Sequence, residues 1–299
     1  LRTAARETVA DDAPPFAGAR VPGGTGTLGR QARCPLRAFC QDRLGARALE
    51  PLGFGVPARL RGIAAHRAAE ALLGDLPAQT DLTNKTDAVA HSVERAVAKL
   101  FGRARAPLAA LYELEAEQLM RVLAALLRAE ALRAPFRVRA VEQRATVTVG
   151  ALTFDVRIDR IDELADGTLA IVDYKTSERA TSGDWFGPRL RDAQVPLYAS
   201  QSTETVRAAV VARLTPAEAR YFGFWYDGAF PGRAAKGAHP DAAAQLALWR
   251  TQLAELAAEL AAGDTRFFVA DYEDAEGAYA PLTRVHEQLA LARGEVLSW

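Results

Sequence analysis

Apolar positions recur at helical spacing through the first half of the chain. Leu60, Ile63, Ala64, Ala68, Ala71 and Leu72 form one stripe, and Val89, Val93, Val97 and Leu100 form another. Leu108, Leu111, Leu119, Val122, Leu123, Leu126 and Leu127 follow at three- and four-residue steps, which predicts a long amphipathic helix over 108–133. The polar, proline-containing stretch 76–86 reads as a loop. The period then falls from 3.6 to 2. Leu152, Phe154, Val156 and Ile158 alternate with Thr153, Asp155, Arg157 and Asp159, the pattern of a strand with one buried face. Residues 136–149 look like the strand before it, and 168–174 like a short central strand. After a loop at 177–189 come a helix carrying Gln194 and Tyr198, strands at 206–213 and 220–226, and a helix at 242–261. This order predicts a mixed α/β domain behind a helical front.

Composition narrows the function. The 299 residues are 49% hydrophobic, enough for a sizeable core, and 37 basic side chains balance 37 acidic ones. A zero net charge gives no domain-wide field to attract a polyanion, though it leaves room for local basic patches. Two cysteines exclude a disulfide scaffold and any four-cysteine metal site. No apolar run is long enough to cross a membrane, and the first residues lack a signal-peptide core, so a cytoplasmic protein is expected. The chain starts with Leu, which suggests a piece of a longer polypeptide. Residues 1–30, rich in Pro, Gly and Ala, read as a linker. Gly24, Gly26 and Gly29 spell a dinucleotide-binding pattern, but no strand–helix–strand unit surrounds them.

The chemistry concentrates in 156–175. A three-residue turn at Ala165-Asp166-Gly167 would pair Leu164 with Thr168. Carried back along the strands, that register sets Asp159 opposite Asp173. Directly opposed side chains have Cβ atoms roughly 4.5–5.5 Å apart, so the two carboxylates repel unless a cation lies between them. Hard oxygen donors at that spacing suit Mg²⁺ or Mn²⁺. Lys175, two residues past Asp173, shares its strand face. It is one of only four lysines, with Lys85, Lys99 and Lys236, among 37 basic residues. An acidic pair facing a lysine is also what a solvated salt-bridge ladder would present; against that, a charged cluster leaving an apolar strand is costly without a function.

RIDRID around Asp159, IVDYKT, and Gln194 with Tyr198 in QVPLY resemble, in order, the motifs of the PD-(D/E)xK nucleases of the RecB-like group. So do CPLRAFCQDRLGARALEP at 34–51 and RGIAAH at 61–66, and the likeness extends to the C-terminal nuclease domain of AddB-type bacterial DNA-repair proteins. The resemblance implies a restriction-endonuclease-like α/β core, a mixed central sheet flanked by helices with an N-terminal helical extension. It divides the chain into a linker (1–30), a helical front (31–135), a nuclease core (136–270) and a tail packed on the core (271–299). It implies Asp159, Asp173, His66 and the carbonyl of Tyr174 as metal ligands, Lys175 as the catalytic lysine, and Gln194 and Tyr198 as the helix face holding that lysine and the DNA backbone. Glu142 matches a position where such enzymes often carry a further acid.

One departure stands out. AddB-type nucleases commonly carry a four-cysteine iron–sulfur cluster, whereas Cys34 and Cys40 are the whole complement here. No iron–sulfur cluster is expected, and both cysteines read as small buried residues. Phe267, Phe268 and Trp299 are expected to pack where the cluster would staple the tail. Trp185, Phe186, Arg189 and Arg191, in the polar loop, are candidates for DNA contact; the alternating aromatics at 222–226 read as core. The expected function is a Mg²⁺- or Mn²⁺-dependent deoxyribonuclease, exonucleolytic in mode, acting in DNA repair or recombination. Single-stranded or unwound DNA ends are its expected substrate, delivered by a helicase subunit or a helicase-like part of the same polypeptide. The rivals are a catalytically silent DNA-binding scaffold and a metal-dependent hydrolase of a small phosphate ester.

Overall fold

The computed structural model describes residues 13–47, 49, 54–82, 85–102, 108–226, 228–267, 279–284, 287, 290 and 293. Five strands form one mixed sheet in sequence order: β1 (Phe136–Val149), β2 (Leu152–Leu164), β3 (Leu169–Lys175), β4 (Val206–Leu214) and β5 (Ala219–Phe224). Neighbours pair antiparallel except β3 and β4, which run parallel through the crossover helix α6 (Gln194–Gln201). Asp166 makes the β2–β3 turn by accepting from Thr168 N and Oγ1, with Gly167 at φ 78. Its register is the one the turn predicts, with Leu164 N donating to Thr168 O and Arg160 opposite Val172.

Helices cover both faces. The front helices α3 (Ala58–Asp75), α4 (Thr86–Phe101) and α5 (Ala109–Glu130) pack alanine- and leucine-rich stripes on one face. There Ala68, Leu72, Leu123 and Leu126 meet Val172, Val210 and Ala212. On the other face α1 (Thr25–Arg33), followed by the single-turn α2 (Pro35–Ala38), joins α6 and α7 (Ala242–Ala262) over Phe154, Ile171 and Val211, with Trp249 buried among them. The sheet is thus buried on both sides, and β3 is apolar along most of its length.

Two expectations change here. Residues 13–30 are not a linker: Phe16 N donates to Ala261 O, Val21 N to Thr153 O, and α1 begins at Thr25. Val21, Leu28 and Ala32 are buried in the core, which gives this Gly-rich segment a packing role its composition hides. The second change concerns β2. Val156, Ile158 and Ile161 all join the α1/α6/α7 core, whereas Arg160 and Asp162 meet Glu130 at the end of α5, on the opposite face. Side chains in a regular strand alternate, so two residues three apart cannot share a face unless the strand changes phase between them. That change falls at Asp159. Phe268, Trp299 and most of the expected 271–299 tail lie outside the described residues.

Candidate metal centre

Beyond the Arg160–Val172 pair, β2 peels away from β3 while β3 stays paired with β4 through Lys175. Asp159 stands at the mouth of this fork. Its Oδ2 accepts from Tyr174 N at 2.8 Å, taking a donor that the ladder leaves open, and lies 3.3 Å from His66 Nδ1 on α3. Across β2 from Asp159, β1 is irregular. Its pairing slips between Val138 and Ala140, and Glu142 sits at φ 50, a left-handed conformation that costs a non-glycine residue energy. Backbone strain of this kind concentrates where a side chain must be aimed. Donor atoms of His66, Glu142 and Asp159 all lie within 4.8 Å of one another.

Asp173 turns the other way. Its Oδ1 accepts from Gln194 Nε2 at 2.7 Å, and its Oδ2 forms an ion pair with Lys175 Nζ at 2.8 Å. Gln194 Oε1 accepts from the same ammonium at 2.9 Å, so one amide ties Lys175 and Asp173 together from α6. Tyr198, one turn on, is buried beside Gln194, and burial pushes its phenol up to about 12. The Tyr174 ring lies on the other side of the sheet, where its hydroxyl accepts from Arg160 at 3.1 Å and its edge meets His66.

The electrostatics follow from burial and neighbours. Burial pushes the Asp173 carboxyl up to about 7, with Asp159 adding to the rise and Lys175 opposing it. Burial would raise Asp159 too, but the His66 hydrogen bond and charge, with Tyr174 N, hold it below the usual carboxylate range. His66 is raised: burial disfavours its cation, and Asp159 outweighs burial. Burial likewise raises Glu142 against the pull of Arg157, which pairs with it at 2.8 Å. Desolvation works against the Lys175 ammonium, and Asp173 more than restores it. Two carboxylates and an imidazole converge, and a third carboxylate, Asp173, made costly by burial, lies beside them.

That donor set fits a divalent cation. One nitrogen and two carboxylate oxygens from three separate elements already converge, and Asp173 Oδ2 is buried with no well-directed hydrogen bond. A family model described as the PD-(D/E)XK nuclease superfamily matches residues 27–272. The chain belongs to the PD-(D/E)XK nuclease superfamily. Nucleases of this superfamily act on DNA and generally use divalent metals such as Mg²⁺. No characterised protein compared by sequence matches the chain. A solved structure titled "Crystal structure of SSO0001" aligns at 15% identity over 79% of this chain and 83% of that one, with a TM-score of 0.25.

Against this PD-(D/E)XK frame, the sequence-predicted residues divide. His66, Asp159 and Glu142 come together, and Asp173, Lys175, Gln194 and Tyr198 form a contiguous second group. The loop candidates fare differently. Trp185 is buried, its ring edge-on to Trp249 and its Nε1 donating to Asp192, so it offers no face to a base. Phe186 packs beside the same tryptophan. Arg189 is held by both Glu259 oxygens and by the carbonyls of Gln31 and Ala32. The polar 177–192 loop hid these partners because they lie on α1 and α7, far off in sequence. Arg191 lines a cleft beside Gln194. Cys34 and Cys40 are buried free thiols, and burial with Cys34 nearby raises the Cys40 thiol.

Sequence reasoning missed Arg157, which neutralises Glu142, and Glu70, one helical turn past His66 and close enough to raise the Glu142 carboxyl. The i, i+4 spacing of His66 and Glu70 was the available signal for the latter.

Proposed function

We propose that this chain is a Mg²⁺-dependent deoxyribonuclease whose reaction centre is the fork between β2 and β3. The observation that carries this reading is the junction of two groups: the His66–Glu142–Asp159 donors, and Lys175 held by Asp173 and Gln194. His66, Asp159 and Asp173 would hold the metal, with Glu142 as a further ligand and the Tyr174 carbonyl available from the strand between. A bound Mg²⁺ would supply Lewis-acid polarisation of the scissile phosphate and lower the pKa of a coordinated water. The chain's own part is positional. Lys175, kept charged by Asp173, orients the attacking water and offsets charge building on the phosphate. Gln194 fixes that ammonium, and Tyr198 packs on the same helix face one turn on.

A RecB- or AddB-like role in DNA repair, exonucleolytic action and delivery of unwound ends by a helicase agree with the motif order around His66, Asp159, Lys175 and Gln194. Cleavage of labelled single- and double-stranded DNA, with and without a free end, tests the reading directly. Hydrolysis is expected in Mg²⁺ and none in excess EDTA; circular substrates left intact would mark exonuclease action. A chain that binds DNA and never cuts it in Mg²⁺ or Mn²⁺ would be a scaffold instead. Glu142→Gln, which keeps shape and removes charge, is expected to weaken Mn²⁺ binding about tenfold by calorimetry, the usual cost of losing one anionic ligand or its close support. Unchanged affinity would exclude Glu142 from the ligand set.

A further inference from the structure

The proposed reaction residues form a row that crosses the sheet: Glu142 on β1, Asp159 on β2, Asp173 and Lys175 on β3, then Gln194 on α6. At about 4.8 Å per strand, the part from β1 to β3 spans roughly 10 Å. A cleft opens at each end. At the β1 end, a cleft of about 710 Å³ runs between α3, α4 and β1, beginning at Val141 beside Glu142 and at Glu70 one turn past His66. At the α6 end, a cleft of about 470 Å³ lies between α1 and the loop leading into α6, and Gln194 itself forms part of its wall.

Both clefts carry excess positive charge although the whole chain is neutral. Arg67, Arg95 and Lys99 face Glu70 and Asp75 in the first. Arg95 pairs with Asp75 at 3.3 Å with both groups largely exposed, a weak contact. Neither Arg67 nor Lys99 has an ion-pair partner among the described residues. Four arginines, among them Arg33, Arg37 and Arg191, line the second cleft against Asp184 and Asp192. Arg30 is paired with Asp42 and Arg33 with Asp184, while Asp192 also accepts from Trp185 Nε1 and Gln194 N; the excess is in the count of charges along the lining. Cations at both ends and carboxylates in the middle are what a chain of phosphates bridged by a metal requires: the ends attract the backbone, and the acidic centre repels it unless a cation intervenes.

We propose that the phosphodiester backbone of one DNA strand lies along this row, across the strands of the sheet, with phosphates on one side of the scissile bond in the Arg67–Lys99 cleft and those on the other side in the Arg33–Arg191 cleft. This rests on the nuclease reading for the identity of the middle, but the clefts are tested by binding alone. Neither cleft has an aromatic side chain in its lining, so recognition is through phosphate and is indifferent to sequence.

The experiment measures binding of labelled single-stranded and duplex oligonucleotides in Ca²⁺ across a salt series, for the parent, Arg67→Ala/Lys99→Ala and Arg33→Ala/Arg191→Ala. Arg220→Ala, on the far edge strand, serves as control. Each double variant is expected to bind about tenfold more weakly at low salt, and its slope of log affinity against log salt to fall by about 1 to 2. The control should match the parent. With cleavage in Mg²⁺ as a second readout, KM should rise while kcat at saturation stays near the parent value. Arg33→Lys, which keeps the charge beside Asp184, should restore most of the binding and guards against a folding defect. Parent-like affinity and slope in both double variants would overturn the path. Loss confined to one cleft would also overturn it, because the strand would not then bridge the row. Equal losses on single strands and duplexes, or losses on one of them, identify the form the row accepts. Salt-dependent binding without cleavage would sink the nuclease reading and leave the path standing.

Discussion

Lys175→Ala is expected to cut DNA hydrolysis by about 10²–10³-fold or more in kcat, equivalent to roughly 3–4 kcal/mol of transition-state stabilisation. The reason lies in its surroundings. The ammonium is held by two oxygens, Asp173 Oδ2 at 2.8 Å and Gln194 Oε1 at 2.9 Å, yet about a third of the side chain remains exposed toward the fork. It is therefore oriented without being sealed off, the condition for acting on a reacting group. KM for DNA should change little, because the lysine's contribution grows as charge develops on the phosphate. Lys175→Arg should not rescue the rate. A planar guanidinium carries its charge farther out, and its fork does not reproduce a compact ammonium bridging Asp173 and Gln194. Single-turnover cleavage of an end-labelled strand measures the effect. A Lys175→Ala enzyme with parental kcat would remove the reaction centre from the β2–β3 fork.

A second large effect is expected on stability, from the face of the sheet opposite the centre. Glu130, Arg133, Arg160 and Asp162 have side chains with no exposure at all and form one network. Arg160 makes paired bonds of 2.6–2.9 Å to both carboxylates, and Arg133 links the same two at 2.7 Å. The Arg133 atoms left without hydrogen bonds belong to a guanidinium set between the rings of Phe136 and Phe230, 3.9 and 3.8 Å from its carbon. Removing one partner strands a buried charge, so Glu130→Gln should cost about 3–5 kcal/mol in urea unfolding. Acid tests the same network. Burial alone would raise the Glu130 carboxyl; Arg160 and Arg133 overcome it and hold it at about 2, from 4.5. A depressed carboxyl stabilises the fold fully above its unfolded pKa, and that contribution is lost as pH falls toward the folded value. The parent should therefore lose this stability between about pH 4.5 and 2, and Glu130→Gln should lack that part of the slope. Parental stability in Glu130→Gln at pH 7 would mean the network's charges contribute nothing net.

Much of the architecture was legible because local signals agreed with one another. The Asp166-Gly167 turn fixes the hairpin register as far as Arg160 and Val172, and helical spacing marks α3, α4 and α5; the expected facing of Asp159 and Asp173 gives way because the strands part just before them. What stayed hidden depends on irregularity or on distance. Strict alternation puts Arg160 and Asp162 with the buried Ile158 face of β2, but the phase change at Asp159 sends them to the α5 side. A bulge between Val138 and Ala140 and the left-handed Glu142 set which β1 residue meets Asp159, and no turn signal announces either. Trp185 and Arg189 read as exposed loop residues because Trp249 and Glu259, which cover them, come 64 and 70 positions later.

The phase change in β2 has a mechanical meaning. Because the strand switches the layer it serves at Asp159, the fork lies on the seam between the two hydrophobic cores. His66 reaches it from the helical front and Gln194 from the opposite layer. A cation held by His66, Asp159 and Asp173, the last tied to Gln194, would be a clasp across the seam. Loading the centre and joining the two halves of the molecule would then be a single event, and a chain stripped of metal would loosen first where it is meant to react.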